Sequence, residues 1–230
     1  MRFVVLRQTE AGASAGALTP LAPLTPTHGV TVHTMAELAP PDQAVRVVFD
    51  DAGATEAAGS FAAGGRALAG LAVVEAPSRD AAVAWLSAQP DGQSFELRET
   101  GCASGLAGVD PTRPATRPRF LVALRADADT EAETAPPPER LARMGAHNDA
   151  AVQDGLLLAA DGLRSSARAT RVSVAAGRAR VLDGPFAEAK ELVAGFWLVQ
   201  APTLADVVAW VRGYPYAQTR PVVEVRPVVG

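Results

Sequence analysis

The stretch from Val181 to Trp197 gathers more reactive side chains than any other part of the chain. It reads Asp183-Gly184-Pro185-Phe186-Ala187-Glu188-Ala189-Lys190-Glu191 and then runs into the apolar segment Phe196-Trp197-Leu198-Val199. Two chemistries fit these residue types. Asp183 and Glu188 can border a pocket in which Lys190 holds an anionic group of a substrate or one of the carboxylates, with Phe186 and Trp197 as pocket wall or core. Alternatively, Asp opens a turn through its side chain, Gly relaxes the backbone and Pro fixes φ before a buried Phe, so the segment is architecture.

His147 is the most informative single residue outside that stretch. It follows Met144 and precedes Asn148, so two polar side chains border an apolar helical stripe. An imidazole moves protons near neutral pH, and an acidic neighbour sets its tautomer. Asp161 and Asp183 are the candidate neighbours, which makes His147, Asp161 and Asp183 the candidate catalytic set and Phe186, Glu188, Lys190 and Trp197 the candidate binding set. His28 and His33 lie in no Cys/His/Asp spacing that suggests a metal and are set aside. Cys102 sits in a Gly/Ser loop without a histidine near it in sequence, and neither a phosphate-cradling glycine loop nor a Gly-x-Ser-x-Gly elbow occurs. No metal and no organic cofactor is expected.

Elements that could position these groups are readable from periodicity. Short β-branched runs at 2–7, 45–49, 71–74 and 95–99 predict strands in the first half, with Val30 to His33 as a strand and Thr34 to Leu38 as a helical turn. Ser78 predicts a helix N-cap, with Ala82, Val83 and Leu86 on one face and Trp85 at its edge. Residues 101–118 have linker composition. In the second half a strand at 119–122 leads to an acidic loop at 127–133 and a helix over about 139–154, with Leu141, Met144, Asn148 and Val152 on one face and Gly155 at its left-handed end. A strand at 156–158, a hairpin around Ala175-Ala176-Gly177, a strand at 196–199, a helix capped by Thr203 and a strand at 222–228 complete it.

Residues 59–86 lie over 184–211 without a gap, with Gly59/Gly184, Phe61/Phe186, Gly70/Gly195, Pro77/Pro202 and Trp85/Trp210 identical. Glu96-Leu97-Arg98 matches Glu224-Val225-Arg226, and Arg46 falls on Arg171. The chain therefore reads as two copies of one design, 1–100 and 119–230, with Asp183, Glu188 and Lys190 replaced by Ala58, Ala63 and Gly65 in the first. The element order predicts α+β units of the ferredoxin-like, split β-α-β kind, each with one sheet face needing a partner. The natural partner is the other half, giving a monomer by internal pseudo-dimerisation or a weak homodimer.

Composition limits the rest. The chain has 230 residues, 48% of them hydrophobic, enough for a proper core. A net charge of -4 without long runs of one sign gives no drive toward nucleic acid or anionic membrane. A single cysteine rules out an internal disulfide and fits a reducing, cytoplasmic setting, and no apolar run approaches a membrane span.

Asp183-Gly184-Pro185-Phe186-Ala187-Glu188 with Lys190-Glu191, Met144-Gly145-Ala146-His147-Asn148, Gly155-Leu156-Leu157-Leu158 and Glu224-Val225-Arg226-Pro227-Val228 together resemble the YCII-related proteins of the DGPF type. That resemblance covers 119–230 directly and the first half through the repeat. It implies a ferredoxin-like fold within the dimeric α+β barrel superfamily, here two β-α-β-β-α-β repeats pairing within one chain. It implies a small-molecule site without metal or cofactor, of isomerase or lyase kind where it is catalytic, built on a histidine with an acidic partner. It also implies a different class of role, a non-catalytic regulatory or protein-interaction module linked to sigma-factor control.

Overall fold

The apolar runs that open the two halves have no polar residue between them because both faces of each strand are covered. In the computed structural model, which describes residues 1–10, 28–61, 66–101, 109–110, 112–186 and 192–229, strand β1 (Arg2–Glu10) turns Phe3 and Val5 toward helix α1 (Arg79–Ser87). It turns Val4 and Leu6 the other way, onto Leu121 and Ala123 of β7 (Arg119–Arg125). β7 repeats the arrangement, with Phe120, Val122 and Leu124 on its outer face. Near-continuous hydrophobic strands are what two-sided burial requires.

The remaining strands are β2 (Thr31–Leu38), β3 (Val45–Asp50), β4 (Gly53–Ala58), β5 (Arg66–Glu75), β6 (Gln93–Glu99), β8 (Leu157–Gly162), β9 (Thr170–Ala175), β10 (Arg178–Asp183), β11 (Val193–Gln200) and β12 (Val222–Val229). All pair antiparallel, in the order β10-β9-β6-β1-β5-β2-β12-β7-β11-β8, with the β3/β4 hairpin attached to β12. The expected pair of ferredoxin-like repeats closing as an α+β barrel is therefore overturned: the described residues form one large sheet of twelve antiparallel strands with few helices. Hairpins cross between the halves. β9 pairs with β6, placing Arg171 opposite Glu96, and β3 pairs with β12, placing Arg46 opposite Glu224. β12 also meets β2 through Val228 and Leu38.

Local chemistry explains where elements begin and end. Ser78 accepts a hydrogen bond from the Ala81 amide, and Thr203 forms a capping box with Asp206 at the start of α4 (Leu204–Gly213). Helix α3 (Pro138–Gln153) starts on a proline and stops before Gly155, whose φ of 67° is the left-handed value expected there. The acidic loop contains a helical turn, α2 (Ala128–Glu131), closed by a capping box of Asp127 and Thr130. Four expectations change. Thr34 to Leu38 continues the strand, β4 was not anticipated, Leu141 is about half exposed, and Trp85 is fully buried. Val207, Val208 and Val211 of α4 pack with Ala151 of α3 over the outer face of β7, β11 and β12. Burying such a side chain stabilises by roughly 1.5–3 kcal/mol.

Candidate functional site

Asp183 closes β10 with its carboxylate largely exposed. Its carboxylate accepts hydrogen bonds from the guanidinium of Arg79 at 2.6 Å and the hydroxyl of Thr170 at 2.9 Å. Arg79 opens α1 in the first half, so this contact joins the halves. Gly184 donates to Ala169 O, and a Cβ built on it would stand 1.8 Å from Ser166 O, so no other residue fits. Phe186 is buried beside Ala126, Ala169 and Leu192, its amide meets the Ser166 hydroxyl at 3.3 Å, and the Arg171 guanidinium lies 3.9 Å above its ring. Glu188 and Lys190 lie outside the described residues.

His147 and Trp197 meet in an aromatic layer between the sheet and its outer helices. The imidazole packs 5.3 Å from Trp210 and 5.0 Å from Tyr214, while Trp197 donates from its indole to Asn148 Oδ1 at 3.1 Å. Burial pushes the imidazole below its ordinary pKa, and its Nε2 has no hydrogen-bond partner among the described residues. Burial also pushes the Tyr214 phenol up to about 12. Asn148 and Trp197 stand close enough to offset part of that rise, although neither reaches the oxygen in good hydrogen-bond geometry. Tyr216 is raised by burial and then by Tyr214.

Asp161 is elsewhere. It stands opposite Phe196 on β11, and residues directly opposite share a face. Phe196 belongs to the core between the halves, whereas Trp197, opposite Ala160, belongs to the outer layer. The sheet thus separates the imidazole from the Asp161 carboxylate, which lies 3.5 Å from Arg2 Nε. His147, Asp161 and Asp183 are not brought together.

Two buried ion pairs escaped the sequence reading. Glu96 and Arg98 are 1% exposed and joined at 3.0 Å, with Arg98 also donating to Arg164 O and Arg171 donating to Glu96 at 2.9 Å. Glu224 and Arg226 repeat this in β12, where Glu224 accepts from the Phe61 amide at 2.6 Å and the Ser60 hydroxyl at 3.0 Å. Each pair reaches across to the other half. The visible signal was the matching Glu-x-Arg near the end of each half.

One cleft among the described residues lies between β2 on one side and β7, β8 and β11 on the other. It encloses about 550 Å³, within the range of small-molecule sites. His33, Thr34 and Met35 line one wall, Leu158 and Leu198 another, and Thr112 to Ala115 with Arg119 the rim. A bulge between Val32 and Thr34 sets the direction of His33, whose Nε2 stands 3.3 Å from Glu75 Oε2. Arg119 donates to Met35 O at 3.2 Å. Setting His33 aside for want of metal spacing overlooked this cleft, whose wall comes from segments far apart in sequence.

With the arrangement of β7 to β12 described, the second half can be placed among known proteins. Residues 120–230 match the YCII-related domain. No curated protein matches the chain. The YCII-related domain thus spans the segment that carries His147, the aromatic layer, the Asp183 turn and one wall of the cleft. Among the described residues no cluster of three or more His, Cys, Asp or Glu side chains could hold a metal, and no helix is long and apolar enough to cross a membrane.

Proposed function

We propose that this chain binds a small molecule in the cleft between its halves, and that the first half is a degenerate copy of the YCII-related unit, the second being of the DGPF type. One observation carries the binding reading: a cleft of about 550 Å³ lined from both halves by a mixture of polar and apolar side chains, with polar groups giving the larger share of its surface. The duplication is supported by the reciprocal strand register, since Glu96 stands opposite Arg171 as Glu224 stands opposite Arg46. With the sheet between His147 and Asp161, the reading is one of binding without acid–base chemistry at His147.

A ligand-observed NMR screen of small carboxylates and aromatics on the wild type and Ala115→Trp tests it. Ala115 is exposed at the cleft rim, so an indole there blocks entry with little effect on the core. Hits on the wild type that vanish in Ala115→Trp support the reading. Hits retained by both proteins, or none at all, contradict it.

A second reading, a protein-interaction module, is favoured by β10. This strand pairs only with β9 among the described residues, and it exposes Val181 and Leu182 to about half their surface. Open apolar strand edges invite pairing with another chain. A pull-down in which Val181→Lys loses every partner captured by the wild type supports that role, and identical captures oppose it.

A further inference from the structure

The cleft's lining carries two arginines, Arg113 and Arg119, and the imidazole of His33, and it carries no carboxylate. In a chain of net charge -4 this is a local excess of cationic side chains facing a concave, partly apolar space. The acidic groups beside it are already engaged. Glu75 meets His33 at 3.3 Å, and Asp110 accepts from the Thr112 hydroxyl at 2.6 Å and its amide at 2.9 Å, which holds its carboxyl below the usual range. Met35, Leu158 and Leu198 belong to the apolar part of the lining, which is smaller than the polar part.

Resting on the small-molecule reading above, we propose that the ligand is a small organic carboxylate with an apolar body. Its carboxylate sits against Arg119, within reach of Arg113 at the rim, and its body lies on Met35, Leu158 and Leu198. A planar guanidinium matches a carboxylate in bidentate geometry. A polyphosphate calls for several cations and a cradle of backbone amides, whereas this lining offers two guanidinium groups with Met35, Leu158 and Leu198 beside them. A cationic ligand would face two guanidinium groups.

Two-dimensional NMR of the full chain with benzoate, benzamide and inorganic phosphate as probes tests the class. Benzoate is expected to shift the His33 imidazole and Arg119 Nε signals saturably. Benzamide, which lacks the charge-assisted contact, and phosphate, which lacks the apolar body, are each expected to bind at least about tenfold more weakly. Arg119→Gln, checked for native melting, is expected to weaken benzoate about tenfold and leave benzamide unchanged. Arg113→Gln gives a smaller loss and serves should Arg119→Gln not fold. Equal binding of benzoate and benzamide in the cleft, unchanged in both variants, overturns the carboxylate class while leaving the small-molecule reading intact. Phosphate binding as tightly as benzoate likewise replaces carboxylate by inorganic anion. Benzoate shifts confined to residues outside the cleft overturn the proposal, and a cleft unperturbed by any probe or screened compound removes both readings.

Discussion

Gly184 and Gly145 show how differently one added methyl acts at two glycines. At Gly184 a Cβ meets backbone that cannot retreat, Ser166 O at 1.8 Å, whereas at Gly145, inside α3, it meets nothing within 4 Å. Gly184→Ala is therefore expected to lose at least about 1–3 kcal/mol of stability by overpacking. Gly145→Ala is expected to gain about 0.5–1 kcal/mol from helix propensity. Urea unfolding of both variants measures the pair, and equal effects would remove the close-approach explanation. His147 adds a pH dependence. Burial lowers its folded pKa below the unfolded value near 6.5, so the unfolded chain takes the proton first. Its contribution is fully present above about pH 6.5 and is lost as pH falls through that value toward the folded pKa. His147→Phe should flatten that part of the stability profile; an unchanged slope assigns it to other groups.

The elements are held together by charges no reading of periodicity would bury. Breaking the inner pair by Glu96→Gln leaves Arg98 and Arg171 short of a carboxylate and is expected to cost about 3–5 kcal/mol. Glu96→Leu combined with Arg98→Met should recover much of that loss, because a packed apolar pair is often as stable as a buried ion pair. Thermal and urea melts of the single and double variants decide, and additive losses would show that the two residues act separately. These residues mark where the sequence was and was not legible. β1 and β7 declared themselves because both faces of Phe3 to Leu6 and Phe120 to Leu124 are buried. The caps at Ser78 and Thr203 follow from side-chain chemistry one turn long. Gly-Ala-Thr-Glu-Ala-Ala in β4 shows no apolar alternation because that arm is largely exposed, and it becomes a strand by pairing with β3. Glu96 and Arg98 look like surface residues until the partner strand β9, about 75 residues away, is in place. The cleft was hidden for the same reason, since His33, Arg119, Leu158 and Leu198 become neighbours only through strand order.

At the scale of the whole molecule, sheet continuity across β6/β9 and β12/β2 predicts that the halves unfold together. Far-ultraviolet circular dichroism and tryptophan fluorescence should give one coincident urea transition; Trp85 reports on the first half, Trp197 and Trp210 on the second. Two separated transitions would contradict the shared sheet. Light scattering is expected to give a monomer in dilute solution, with weak self-association through β10 at high concentration that Val181→Lys abolishes; an obligate higher oligomer would contradict this. Asp183 then joins the halves through its exposed contact with Arg79, while the proposed ligand cleft lies elsewhere between them. A thermal-shift titration with small carboxylates and aromatics on wild type, Asp183→Ala and Ala115→Trp tests that division most directly. Ligands raising the melting temperature of wild type and Asp183→Ala by equal amounts, with no rise in Ala115→Trp, is the predicted result; loss of the shift in Asp183→Ala with its retention in Ala115→Trp would contradict it.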